Sequence, residues 1–176
     1  MFSQNLHPTG PPLATRFIPS QVPALEATPR HPLRTYTATV TTSIDIVSFR
    51  PEHAESVAAL CRGEGWSSYS DPEVAKKGCL APGAITLVAV DSSNGMTAGF
   101  AMALTDGIAQ AYLAQLIIHP DFRRRGLARR LVEEIHARTG VPRLDLLTDD
   151  AQAFYDTFEG EAKPGYRIYP SREKRS

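Results

Sequence analysis

An α/β fold with a mixed, mostly antiparallel central sheet flanked by helices is what this 176-residue sequence predicts. Two observations carry that expectation. Short β-branched and aromatic runs at 44–49, 84–90, 97–104 and 112–118 read as strands. Apolar residues three and four apart over 127–138 read as an amphipathic helix. The predicted order is strand, two helices, three antiparallel strands, helix, strand, helix, strand, which implies a sheet of mixed direction with helices on its faces.

Residues 1–42 differ from the rest. They hold half of the prolines, one acidic residue (Glu26) and no sustained periodicity. Such a segment cannot bury enough apolar area to offset its ordering entropy, so a disordered extension is predicted. A targeting segment and a start codon further downstream are the competing readings. Scattered Arg16, Arg30 and Arg34 suit targeting, but the prolines break any amphipathic helix, and the tail reading is preferred. The domain itself is placed at residues 43–170, with a loose polar tail at 171–176.

Ile44–Phe49 is the first predicted strand, and Arg50-Pro51 opens a helix that runs to about Arg62 and stops at Gly63. The loop Glu64–Ser70 holds the only tryptophan, Trp66. Asp71 is the expected N-cap of a short helix through Lys77, closed by Gly78. Ala84–Val90 is a strand, and Asn94-Gly95 reads as a two-residue hairpin turn into Thr97–Leu104, where Phe100, Met102 and Leu104 share a face. Thr105-Asp106-Gly107 turns the chain into a strand built on Tyr112, Leu113, Leu116, Ile117 and Ile118, which ends at His119-Pro120. The helix carrying Leu127, Ala128, Leu131, Val132 and Ile135 stops at Gly140, before Pro142. Arg143–Leu147 is the fifth strand, Asp149-Asp150 the expected cap of a helix over Ala151–Phe158, and Tyr166–Tyr169 the last strand.

Acidic and basic residues balance at 19 each, so no bulk field draws the chain to nucleic acid or membrane. No apolar run approaches the length of a membrane span. Cys61 falls on an apolar helix face with Ala54, Val57 and Ala58 and reads as a buried thiol; neither it nor Cys79 has metal-ligand spacing. No metal site is expected, and a reduced, cytoplasmic setting fits best.

The chemistry-bearing stretch is Arg123-Arg124-Arg125-Gly126-Leu127-Ala128, between a strand and a helix. A helix start presents unpaired N–H groups and a partial positive charge, so it can hold an anion, phosphate above all. Gly126 would let the backbone approach such a group, and the small Ala128 would keep the next turn clear. Arg123, Arg124, Arg125 and Arg129 could add charge-assisted contacts. Cations at a helix start otherwise oppose the dipole, which argues against a merely solvated arginine run.

Arg123-x-x-Gly126-x-Ala128, set between Ile118-His119-Pro120 and an amphipathic helix, resembles the acyl-coenzyme-A-binding motif of the GNAT (Gcn5-related) N-acetyltransferases. With the order of elements over residues 43–169, the resemblance implies an acetyl-CoA-dependent N-acetyltransferase. It further implies that the strand before the turn carries a bulge and splays from the fifth strand. Main-chain groups of Leu116, Ile117 and Ile118 would then pair with the pantetheine arm, while Arg123–Arg129, including Leu127, would cradle the phosphates. Tyr155, beside Phe154, matches the tyrosine that many members place next to the coenzyme sulfur as a general acid. Members with a carboxylate base on the central strand have it where Tyr112 stands, so that role is not carried over; Glu64, Asp106 or a water chain held by Gln115 are the alternatives. The acceptor, a small-molecule or peptide amine, is expected beside the Glu64–Ser70 loop, with Glu64, Trp66 and Tyr69 near it. The family's usual Leu-Gly-Phe-like segment is not found after Tyr155, where Asp156-Thr157-Phe158-Glu159-Gly160 follows.

Two rival readings belong to other classes. A catalytically silent acyl-coenzyme-A-binding or interaction domain would keep the turn without needing Tyr155. An arginine-rich nucleic-acid module would need interleaved aromatic platforms or net basic charge, and the sequence has neither. A monomer or a homodimer fits equally.

Overall fold

Strand-period and helix-period segments condense into one sheet with helices on both faces. The computed structural model describes residues 43–170, and the expected disordered extension 1–42 and polar tail 171–176 lie outside the described residues. The strands are β1 (Ile44–Ser48), β2 (Ala84–Asp91), β3 (Thr97–Thr105), β4 (Ala111–Ile118) and β5 (Leu144–Leu146), hydrogen-bonded in that order. The first three pairings are antiparallel and β4–β5 is parallel, so the sheet is mixed and mostly antiparallel as the sequence predicts.

Side-chain alternation divides the core into two layers. On one face, α1 (Ala54–Gly63) and α2 (Pro72–Cys79) bury Val57, Ala58, Cys61, Ala75 and Cys79 against Val88, Phe100, Met102 and Ile117. On the other, α3 (Leu127–Thr139) buries Leu131, Val132 and Ile135 against Leu87, Ala101, Ala103 and Leu113. Proline at the first position of the 3₁₀ turn Pro51–His53 leads into α1, where a missing N–H costs nothing. Gly140, at φ 67°, ends α3 in the left-handed conformation that a helix stop favours.

Several elements differ from expectation. Gly78 does not close α2, which continues to Cys79; the Tyr69 ring lies where a Cβ at position 78 would stand. The connection after β2 is wider than a two-residue turn. Asp91 folds it by accepting from the Ser93 amide and hydroxyl, and strand pairing resumes only at Thr97. Leu104 is 44% exposed because it lies past the helices that cover Phe100 and Met102. The helix expected over Ala151–Phe158 is the four-residue α4 (Gln152–Tyr155), and Thr148 Oγ1, not Asp149 or Asp150, accepts from the Ala151 amide. No strand forms at Tyr166–Tyr169, and Tyr166 and Ile168 are largely exposed.

Candidate active site

β4 is held differently along its two halves. Ala111, Tyr112 and Leu113 pair with β3 on one side and with Leu144, Asp145 and Leu146 of β5 on the other. Beyond Leu113 the β5 pairing stops, and a register shift opposite Met102/Ala103 leaves Ala114 as an extra residue in β4. A bulge bends its strand and increases the local twist, which is how β4 leaves β5 while staying on β3. The edge from Ala114 to Ile118 therefore has no ladder partner on the β5 side.

Antiparallel alternation decides which main-chain groups face that open edge. The His119 amide donates to Ala98 O, so His119, Ile117 and Gln115 point their N–H and C=O groups at β3. Leu116 and Ile118 point theirs outward. Ile117, expected to contribute main-chain groups to the edge, spends them on the ladder with Phe100. The Ile118 carbonyl is itself taken by Arg123 Nε at 3.0 Å.

The chain then passes through a 3₁₀ turn, Pro120–Phe122, into the basic turn. Arg124 and Gly126 both have positive φ, 61° and 76°, and nothing stands within 4 Å of a Cβ built at Gly126. Glycine is required there by its backbone angle, and the space around it is open. The Arg130 amide is the first of α3 to reach an acceptor within the helix, Gly126 O at 3.2 Å, and no side chain caps the start. The amides of Gly126, Leu127, Ala128 and Arg129 are thus unsatisfied first-turn donors. Leu127 buries its side chain beneath α3, and Ala128 is half-buried.

The arginines divide into two groups. Arg123 pairs with Glu64 through Nη2, and Arg129 binds Glu133 at 3.1 Å, the Thr157 carbonyl at 2.8 Å and the Thr157 hydroxyl at 2.6 Å. Arg129 also lies 4.1 Å over the Phe158 ring, latching α3 to the turn after α4. Arg124 has no hydrogen bond or ion pair among the described residues, and Arg125 leans over Phe122 at 5.4 Å with the Asp91 carboxylate in its field. Arg123 and Arg129 are fixed as struts, whereas Arg124 is not tied to any side chain among the described residues. That division of labour lay in tertiary contacts no local pattern displays.

Tyr155 sits on the α3 side of the sheet with Leu116, Ile118, Leu144 and Leu146, its ring 4.9 Å from Phe154. Burial pushes its phenol pKa up, so it keeps its proton at neutral pH. Asp106 is occupied as a turn cap: its Oδ1 accepts from the amides of Ile108, Ala109 and Gln110, which hold its carboxyl below the usual range. Of the expected acceptor-side residues, Glu64 lines a cleft of about 360 Å³ with Ser56, Leu60, Thr97 and His119. Trp66 is 39% exposed, while Tyr69 turns inward against Gly78 and the thiol layer at a positive φ of 59°. Both thiols in that layer are buried, and desolvation pushes Cys61 and Cys79 each up to about 11, so neither is a nucleophile at neutral pH. No group of metal-binding side chains occurs among the described residues, and no helix there is long and apolar enough to cross a membrane.

Residues 82–159 match the family model of the acetyltransferase (GNAT) domain. The fold is shared with a GNAT-family acetyltransferase from Streptococcus pneumoniae (21% identity, TM-score 0.61, 74% of this chain and 100% of that one). It is shared equally with the aminoglycoside N-acetyltransferase AAC(6')-Iy, solved with a bisubstrate analogue (20% identity, TM-score 0.60, 74% and 99%). A ribosomal-protein-alanine N-acetyltransferase from Brucella melitensis aligns at 17% identity and a TM-score of 0.58, over 72% and 98%. No curated protein sequence matches.

Proposed function

We propose that this chain, whose residues 82–159 match the acetyltransferase (GNAT) domain, moves the acetyl group of acetyl-CoA directly onto an acceptor amine. The observation that carries this reading is the continuity of the open β4 edge with the uncapped start of α3. An extended arm can add to the edge through the main-chain groups of Leu116 and the amide of Ile118, as a strand would. At its far end a pyrophosphate can lie on the amides of Gly126–Arg129, with Arg124 and Arg125 adding charge. The fit is a physical one: open space at Gly126, first-turn donors without acceptors and the guanidinium groups of Arg124 and Arg125 belong to one turn.

When bound, acetyl-CoA supplies an activated thioester. The outward main-chain N–H of Leu116, two residues past the bulge, would polarise an acyl oxygen laid along the edge. The amine nitrogen attacks the acyl carbon; the C–N bond forms, the C–S bond breaks, and Tyr155 gives its proton to sulfur. The nitrogen's own proton leaves to water. With both thiols buried and protonated, no cysteine is available to carry the acetyl group first, which favours direct attack over a two-step exchange.

Thiol release from acetyl-CoA, measured over an amine panel, tests the proposal. Tyr155→Phe is expected to lower kcat by about 100-fold while leaving coenzyme affinity unchanged. Equal turnover by wild type and variant would remove Tyr155 from the reaction and leave the coenzyme-binding part standing.

A further inference from the structure

Gln115 is the one polar side chain placed beside the bulge on the α1/α2 face of β4. It pairs across the ladder with Met102, and the next pair on that face is Phe100 with Ile117, so its surroundings are the apolar layer of α1 and α2. Its Oε1 is closed off from solvent and accepts no hydrogen bond among the described residues, although the residue as a whole is only half-buried. An enclosed amide oxygen without a donor destabilises the fold, and leucine or methionine would fill the same space without that cost. Tyr155 lies on the opposite, α3 face, packed near Leu116 and Ile118. The unpaired stretch of β4 therefore has a proton donor on one face and an unpartnered carbonyl oxygen on the other.

We propose that Gln115 receives the acceptor amine, its side-chain carbonyl taking a hydrogen bond from the amine N–H on the face of β4 opposite Tyr155. This rests on the acetyl-transfer reading above and adds to it the residue that selects and orients the nucleophile. A neutral amide cannot take up a proton, so Gln115 is not the base. It fixes one N–H, leaving the nitrogen lone pair directed at the acyl carbon. As the C–N bond forms and the C–S bond breaks, sulfur takes the Tyr155 proton from the far face, and the nitrogen's surplus proton leaves to water on the near face. Separating entry and departure on two faces suits an addition in which nucleophile and leaving group do not share one side of the strand. Gln115 as a whole is half-buried, and rotation about its last torsion exchanges the positions of its oxygen and its nitrogen without movement of the strand.

The test compares wild type with Gln115→Met and Gln115→Leu by thermal denaturation, by calorimetric binding of coenzyme A, and by turnover of benzylamine, spermidine, kanamycin and an alanine-initiated hexapeptide. The expected result is a KM for the productive amine raised about tenfold, the loss of one hydrogen bond's discrimination. Coenzyme affinity should stay within about twofold and Tm should not fall, because an unpartnered amide has been replaced by an apolar group. Unchanged acceptor KM in both variants, with an active wild type, overturns the role of Gln115 and leaves acetyl transfer intact. A Tm lowered by more than about 3 °C in both variants also overturns it, since the amide would then be serving the fold. Wild type that fails to bind coenzyme A sinks the acetyl-transfer reading itself, and this inference with it.

Discussion

The starts of α2 and α3 solve the same problem in opposite ways. Each helix begins with amides that have no acceptor within the helix. At α2 the chain supplies the acceptor: Asp71 Oδ1 takes the Glu73 amide at 2.9 Å and the Val74 amide at 3.0 Å, with proline at the first position. At α3 the residue before the helix is Gly126, which has no side chain to offer, and the neighbours are cations that oppose the dipole. One start is closed by its own carboxylate. The other has no side-chain acceptor, and the proposed function gives it an anion from outside.

Giving α3 the solution used by α2 should have the largest effect. Gly126→Asp puts a carboxylate on the turn at a positive φ that aspartate tolerates better than most residues. Coenzyme A affinity, read by calorimetry, is expected to fall by more than about 100-fold as a fixed negative charge replaces the phosphate's place on the amides. Less severe is removal of one uncommitted cation. Arg124→Ala should weaken coenzyme A about fivefold, with a shallower salt dependence. Arg129→Ala should instead act on the fold, lowering Tm through loss of the contacts to Thr157 and Phe158. The smallest effect on the site comes from the closed helix: Asp71→Ala should cost about 1 kcal/mol in denaturant unfolding and leave coenzyme affinity untouched. A change in coenzyme binding there would erase the distinction between the two starts.

Legibility followed the range of the interactions. The β4–turn–α3 unit could be read because its signals are local: an apolar run ending at His119-Pro120, a glycine at φ 76°, and a helix of clear period ended by Gly140. The Asp71 cap could be read for the same reason. Tyr166–Tyr169 has strand composition, yet composition alone does not make a strand, and the three-residue β5 pairs with β4 instead. Gly78 reads as a stop until the Tyr69 ring is seen filling its missing side chain. The fastening of Arg123 to Glu64, 59 residues earlier in the chain, has no local trace at all. Nor has the opposition of Gln115 and Tyr155, which depends on a one-residue bulge shifting what faces each layer. The turn is therefore readable from its own residues, whereas the surroundings of Glu64 and Gln115 are assembled from distant ones.

Calorimetric titration of the wild-type protein with coenzyme A and, separately, with pantetheine tests most directly whether the start of α3 holds the phosphates. Pantetheine keeps the arm that would lie along β4 and lacks the nucleotide phosphates. Coenzyme A should bind at least about 100-fold more tightly than pantetheine, with an advantage that shrinks as salt is raised. Equal affinity for the two ligands would contradict the assignment of Gly126–Arg129 to the phosphates.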